Sequence, residues 1–366
     1  MKILSVFGTR PEAVKMAPIV KLLAETAGVE SRVCVTAQHR QMLDQVLELF
    51  NIQPDYDLNL MRDNQSLAEL SAAIFTHLDP VFSGFKPDWV LAQGDTTTVA
   101  ITSLLTYFHR IKFGHVEAGL RTHDKWQPFP EEINRRVAGV TADMHFAPTE
   151  WSKQNLLREG IDETLIKVTG NTVIDALQFV AKQPEPQEVT ELTTTKLETK
   201  RLILVTAHRR ENFGEPMENI CRALLKLAKT EDVEIVYPVH LNPNVREPVN
   251  RLLKNVEHIT LLPPLDYLPL VHLMKHAALI LTDSGGIQEE APAFGIPTLV
   301  LRDVTERPEG VEAGTLKLVG TETSRIVEEA RRLLGDESAY AEMSKASNPY
   351  GDGRAAEKIV RALLEG

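Results

Sequence analysis

The chain has 366 residues, 43% of them hydrophobic and 25% charged, which is the composition of an ordinary soluble globular protein and too long for one typical core. Its 51 acidic against 40 basic residues give a formal net charge of -11. That balance argues against a nucleic-acid or anionic-membrane partner, but not against a small anion held by local arginines.

Cys34 and Cys221 stand far apart in apolar surroundings. They read as buried free thiols of a reducing cytoplasm, neither a metal site nor a disulfide framework. Residue 1 leads directly into a strand without a signal peptide, and no apolar run is long enough to span a bilayer. The expectation is a cytoplasmic protein of two α/β domains.

Residues 3–7 form a short apolar strand, followed by Gly8, Thr9, Arg10, Pro11 and Glu12 and a helix to about residue 25. Strand, glycine turn and helix open a doubly wound unit, without the GxGxxG spacing of a dinucleotide fingerprint. Arg10 and Lys15 flank the helix start, where a phosphate could sit; a solvated basic pair is the plainer reading of these two alone. A strand over 32–36 leads to Gln38, His39, Arg40 and Gln41 and an amphipathic helix to residue 50. Residues 51–64 are irregular and 66–85 helical by apolar spacing.

A strand over 89–93 runs into Gly94 and Asp95, and the next, 111–116, into Glu117. Ligands in open α/β sheets bind outside such strand ends, although an Asp here is also a common N-cap. A loop over 123–129 containing Trp126 ends at Pro130, where Glu131 starts a helix carrying Asn134, Arg135 and Arg136. Glu131 could simply compensate the helix dipole. Asp95, Glu117 and Glu131 on one rim of one sheet nevertheless read better as a site than as three independent caps. Strands at 145–148 and 166–170, with a helix between them, close the sheet, and a helix over 171–180 leaves it.

Residues 182–200 are rich in Pro, Thr and Glu and read as a linker, helical in part. A strand over 201–206 restarts the rhythm and ends at His208, Arg209, Arg210 and Glu211; the next helix covers 216–229. The strand over 234–239 ends at His240, a turn at Asn242 opens a helix, 259–262 is a strand and 267–278 a helix. In the segment 279–292 an apolar strand stops at Thr282 and Asp283, and Ser284, Gly285 and Gly286 turn into a helix bearing Gln288, Glu289 and Glu290. Two glycines let backbone N–H groups approach a phosphate at a helix N-terminus, and an acid one turn on can accept from a ribose hydroxyl. A capped turn without a ligand fits this segment alone equally well.

A strand over 298–301 leads to Arg302 and Arg307, placed to pair with a diphosphate. A long charged helix over 324–345 is broken at 348–353, which lets a last helix cross back onto the first domain. The domains are therefore 1–180, joined by 354–366, and 181–353: an α/β fold of two Rossmann-like domains facing a cleft.

The motifs together are more specific than any one of them. Phe7-Gly-Thr-Arg-Pro-Glu-Ala13, Gln93-Gly-Asp-Thr-Thr97, Gly114-His-Val-Glu-Ala-Gly-Leu-Arg121 and Pro130-Glu-Glu132 resemble the non-hydrolysing UDP-N-acetylglucosamine 2-epimerases of bacteria. So do Ala207-His-Arg-Arg-Glu211, Tyr237-Pro-Val-His240, Asp283-Ser-Gly-Gly-Ile-Gln-Glu-Glu290 and Arg307-Pro-Glu309, in collinear order. The resemblance implies a glycosyltransferase-B-like fold, a homodimer, and cytoplasmic supply of UDP-N-acetylmannosamine for cell-surface polysaccharide. It implies a catalytic group of Asp95, Glu117, Glu131 and His208, and UDP contacts from Arg10, Lys15, Ser284, Gly285, Gly286, Glu290 and Arg307. Some members bind a second UDP-N-acetylglucosamine as an allosteric activator, and Gln38, Gln41, Arg209 and His240 match that site. Asn64 departs from it, standing where those members have an arginine. Leu265 and Leu270 replace polar or aromatic residues that line the uracil pocket in some relatives.

The family's chemistry breaks the anomeric carbon–oxygen bond as the proton leaves the second carbon, giving UDP and 2-acetamidoglucal, then adds UDP back with the proton on the opposite face. It needs fixed positive charge for the diphosphate, more than one acid/base group and a dry site, and it calls for neither metal nor nicotinamide. A UDP-sugar glycosyltransferase of the same fold and a hydrolysing epimerase are the alternative readings. A nucleotide-sugar sensor would have no use for the three acids.

Overall fold

The computed structural model describes residues 1–37, 40–60, 62, 64–196 and 200–366. The chain divides into two compact units, one of residues 1–176 with 350–366 and one of residues 177–349.

The first unit is built on β1 (Lys2–Phe7), β2 (Glu30–Val35), β3 (Tyr56–Asp57), β4 (Trp89–Gln93), β5 (Lys112–Val116), β6 (Met144–Ala147) and β7 (Ile166–Val168). They form one sheet in the order β3-β2-β1-β4-β5-β6-β7, every pair parallel. Strands covered on both faces need near-continuous apolar runs, and Trp89–Gln93 is buried at all five positions. The connecting helices are α1 (Arg10–Glu25), α2 (Arg40–Leu49), α3 (Leu67–Phe85), α4 (Thr97–His109), α5 (Glu131–Thr141), α6 (Glu150–Arg158) and α7 (Thr172–Val180). Two of them open with a reciprocal capping box, Thr9 with Glu12 and Ser66 with Glu69, which satisfies orphan N–H groups of the first turn.

The second unit repeats the plan. After α8 (Gln187–Lys196) come β8 (Arg201–Thr206), α9 (Glu215–Thr230), β9 (Val233–Pro238), α10 (Pro243–Leu253), β10 (Ile259–Leu262), α11 (Tyr267–His276) and β11 (Ala277–Thr282). Then follow α12 (Gly285–Glu290), β12 (Thr298–Val300), α13 (Pro308–Glu312), β13 (Leu316–Leu318), α14 (Thr323–Gly335) and α15 (Glu337–Ser344). The sheet runs β10-β9-β8-β11-β12-β13, all parallel. Both sheets reverse their winding beside the first strand of the unit, between β1 and β4 and between β8 and β11. Such switch points leave a crevice at the carboxyl ends of the strands. Tyr237, Met217, Ile220 and Leu224 belong to the second unit's core, and all are fully buried.

The last helix, α16 (Ala355–Glu365), belongs to the first unit and packs against α1. Asp175 in α7 fixes its start, accepting from the N–H groups of Ala355 and Ala356 at 3.1 and 2.9 Å. The helix expected over 324–345 is two helices. Asp336 ends α14 and caps α15, accepting from Ser338 and Ala339 N–H, so the carboxylate that closes one helix opens the next. Cys34 and Cys221 are buried free thiols, and burial pushes each up to about 12. Among the described residues no helix is long and apolar enough to cross a membrane.

Candidate functional site

At the switch point of the first unit, the turns after β1 and β4 are joined by one carboxylate. Glu12 is buried, and its Oε2 accepts from the N–H groups of Gly8 and Thr9 at 3.1 and 2.7 Å. Its Oε1 accepts from the Thr96 hydroxyl at 2.7 Å, on the residue after Asp95. A capping box needs only the first contacts. The second links the turn bearing Arg10 to the turn bearing Asp95, and burial raises the Glu12 pKa against these three donors.

Asp95 forms an ion pair with Arg135, and Asn134 Nδ2 donates to its backbone carbonyl at 2.9 Å, so α5 holds the aspartate at both ends. Arg135 leans in turn on Glu132 at 3.4 Å. Glu132 is fully buried and also accepts from Thr122 and His123 N–H at 3.0 and 3.2 Å, which ties the loop expected over 123–129 to the helix that follows it.

Glu117 is buried too, and its carboxylate accepts from Lys15 Nζ at 2.5 Å, Asn171 Nδ2 at 2.9 Å and Gln93 Nε2. A charged, desolvated carboxylate needs such donors, and three elements of the unit supply them. The residue sits in the left-handed region at φ 62°, uncommon for a side chain with a Cβ. Gly119 follows at φ 91°, where a Cβ would lie 2.2 Å from the Ser152 carbonyl oxygen, so α6 presses directly on this turn. Glu131 is the first residue of α5 and half-buried, and its carboxylate pairs with no other described residue. Arg10 at the start of α1 is likewise half-buried without a partner among the described residues. The structure thus gathers Lys15 with Glu117, and sets Asp95 on the adjacent strand end.

Beneath this rim, His115 and His145 are register partners on β5 and β6, both buried. His115 Nε2 lies 2.7 Å from the Gly94 carbonyl oxygen, while neither ring nitrogen of His145 has a hydrogen-bond partner among the described residues. Burial lowers them to about 4 and about 3, so both imidazoles are neutral.

In the second unit the residues assemble around Gly285. A Cβ on that glycine would lie 3.6 Å from Arg209 Nη2 and 3.8 Å from Arg307 Nη2, so two guanidinium groups converge on the turn. Arg307 also pairs with Glu289. The helix expected after Ser284 is only six residues long and continues as a 3-10 turn over Ala291–Phe294, so the arginines, more than a helix dipole, make this turn positive. Glu290 is buried and accepts from the Tyr267 hydroxyl at 2.8 Å. Arg302, expected beside Arg307 at the turn, is instead engaged with Glu211 and Glu306.

Asp283 is fully buried at the end of β11 and accepts at Oδ2 from His208 N–H, Arg209 N–H and Asn212 Nδ2 at 2.8, 2.8 and 2.9 Å. Burial lowers the His208 pKa, while the charge of Asp283 opposes that shift. The His208 ring stacks on His240, with centroids 5.4 Å apart and planes 15° apart.

Of the residues matched to the activator site, Arg209 and His240 therefore lie against the same turns as His208 and Gly285. Gln38 and the side chain of Gln41 lie outside the described residues. Asn64 is exposed, and Leu265 and Leu270 are half-buried before and within α11.

Sequence reasoning passed over Glu12, Gln93, Asn171, Glu132, Arg135, Tyr267 and Asp283 as functional candidates. Most lie inside the quoted motifs, and their burial, which only the fold reveals, is what sets them apart. Arg135, Asn171 and Tyr267 lie in none.

A family model described as UDP-N-acetylglucosamine 2-epimerase matches residues 21–364. The UDP-N-acetylglucosamine 2-epimerase of Yersinia pestis is 58% identical over 369 residues, covering 99% of this chain and 98% of that protein. The crystal structure of UDP-GlcNAc 2-epimerase from Neisseria meningitidis bound to UDP-GlcNAc superposes with a TM-score of 0.91 at 50% identity, covering 100% of each chain. The Methanocaldococcus jannaschii enzyme in complex with UDP-GlcNAc and UDP gives 0.81 at 35% identity, again over 100% of each.

Proposed function

The chain belongs to the UDP-N-acetylglucosamine 2-epimerase family, and we propose that it performs the family's reaction by eliminating and re-adding UDP. The reaction inverts the second sugar carbon of UDP-N-acetylglucosamine, and the product of that inversion is UDP-N-acetylmannosamine. No carbonyl neighbours the second carbon in the ring, so its proton is too weakly acidic for simple removal by a carboxylate. In the proposed route a base takes that proton, a double bond forms between the first and second carbons, and the anomeric bond breaks with its electron pair on the β-phosphate oxygen. UDP then attacks the first carbon of 2-acetamidoglucal, and an acid delivers a proton to the second carbon from the other face.

The observation that carries this reading is the pair of carboxylates held at adjacent strand ends. Glu117 is fixed by Lys15, Gln93 and Asn171, and Asp95 by Arg135. Proton removal and delivery on two faces need at least two such groups, and Glu131 adds an acid with no described partner. The departing diphosphate needs positive charge already in place. Arg209 and Arg307 at Gly285 supply it in the second unit, and Arg10 and Lys15 in the first. Glu290, with Ser284 and Gly286 in the same turn, is the candidate for the nucleoside. Relatives crystallised with UDP-GlcNAc and UDP support the assignment of the ligand.

The finer parts of the proposal are a cytoplasmic homodimer feeding surface-polysaccharide synthesis and activation by a second UDP-N-acetylglucosamine. Exposed Tyr107, Phe108, Ile133 and Val140 on α4 and α5 support a second copy as occupant of that face. Light scattering of a Phe108→Glu protein tests it, with halving of the mass expected. The Arg209–His240 neighbourhood of His208 supports activation, and sigmoidal dependence of rate on UDP-N-acetylglucosamine is its signature.

The central test is proton NMR of UDP-N-acetylglucosamine with the protein in deuterated buffer. UDP-N-acetylmannosamine carrying deuterium at the second carbon is the expected product. Free N-acetylmannosamine with UDP would identify a hydrolase instead, and an unchanged spectrum would refute the reading.

A further inference from the structure

The two oxygens of Asp283 have unequal surroundings. Oδ2 accepts three hydrogen bonds, from His208 N–H, Arg209 N–H and Asn212 Nδ2, and so staples the turn after β8 to the end of β11. Oδ1 is buried and has no hydrogen-bond partner among the described residues. A carboxylate oxygen left in that state is costly. The ionisable group facing it is His208, whose Nδ1 lies 3.8 Å away. That distance exceeds a hydrogen bond and lies within the reach of an ion pair.

From this we infer that Asp283 is the positioning residue of His208, holding the imidazole with its proton on Nδ1 and its lone pair on Nε2. The inference rests on the reading that His208 acts on the UDP-sugar. The ring is held from two sides. His240 stacks on its face and Asp283 takes its Nδ1 edge, while the side chain keeps 39% of its surface exposed. With Nδ1–H directed at Oδ1, Nε2 is the atom that meets the ligand. When Nε2 accepts a proton from it, the imidazolium is stabilised by the carboxylate behind it, the arrangement used by histidine–aspartate pairs in other enzymes. The charged or titratable groups acting on the ring are Asp283, His240 and Arg209.

A staple alone would explain Oδ2 and would leave Oδ1 without a role. Asp283→Asn separates the two functions. The amide oxygen keeps the three donors of the staple, while the amide nitrogen faces Nδ1 and donates to it, which forces the proton onto Nε2.

The experiment is nitrogen-15 NMR of the imidazole rings in the full chain, with His208 assigned among the 11 histidines by difference from His208→Gln. The wild type shows the Nδ1–H tautomer and Asp283→Asn the Nε2–H tautomer, while the variant's melting temperature stays near that of the wild type. With UDP-N-acetylglucosamine, kcat of the variant falls about 100-fold or more and KM stays within about threefold. An Nε2–H tautomer in the wild type overturns the inference even if the variant fails to fold. So does a variant whose tautomer switches while kcat holds. The ring spectra need no turnover, so a wild type that fails to epimerise refutes the functional reading and leaves the spectra to decide the role of Asp283.

Discussion

Acidification acts on the first unit through two imidazoles that ordinary surface titration does not reach. His115 and His145 are neutral and buried side by side, at about 4 and about 3 against an ordinary 6.5. The unfolded chain binds protons at both from pH 6.5 downward, while the folded chain does not until its lower values are reached. Stability is therefore full above pH 6.5 and is lost as pH falls towards 4 and 3.

A pH of 5 lies about 1.5 units below the unfolded value and above both folded ones, so at 1.36 kcal/mol per unit each imidazole costs about 2 kcal/mol relative to pH 7.5. His145→Leu removes one of the two. Neither ring nitrogen has a partner among the described residues, so the change should not weaken the protein at pH 7.5. The assay is urea unfolding at both pH values, followed by tryptophan fluorescence. Trp89, Trp126 and Trp151 all lie in the first unit, so the signal reports that unit alone. Carboxylates contribute equally to both proteins, and the loss between the two pH values should be about 2 kcal/mol smaller in the variant. Equal losses, within about 0.5 kcal/mol, would refute the argument.

Glu12→Ala leaves two backbone N–H groups and a threonine hydroxyl without their acceptor, at about 1 kcal/mol or more each, so the first unit should lose roughly 3 kcal/mol in the same unfolding assay. Gly119→Ala meets the Ser152 carbonyl at 2.2 Å from a positive φ, and its soluble yield and melting temperature should fall well below those of Gly160→Ala, where the space is open. Glu117→Gln should abolish deuterium incorporation at the second sugar carbon while circular dichroism at 25 °C is unchanged. Turnover in excess chelator without added cofactor should equal turnover without chelator, since arginines and a lysine supply the positive charge in this proposal.

The strand–helix rhythm, the two units and the rim positions of Asp95 and Glu117 are legible in the sequence, because buried parallel strands are short apolar runs whose next residue marks the strand end. The division of the long helix at Asp336 is not, since its apolar spacing continues across the break. The roles of Glu12 and Asp283 are also hidden. A glutamate at the third position of a helix and an aspartate before a glycine turn look like caps, and what distinguishes them is a second contact 84 or about 75 residues away. Arg302 misleads for the converse reason, because Glu211, its partner, approaches only after β8 and β12 are in one sheet.

The return of α16 to the first unit makes the order of synthesis differ from the order of completion. Residues 177–349 form the second unit without interruption, so it can finish folding while the chain is still growing. The first unit has its sheet early but must wait for Ile359, Val360 and Leu363, buried residues of the last helix, to cover it. Until then the face of α1 that receives them stays open to water. A ribosome that stalls after residue 349 would therefore leave Asp95 and Glu117 on an incomplete unit, vulnerable to proteases, when residues 177–349 are already folded.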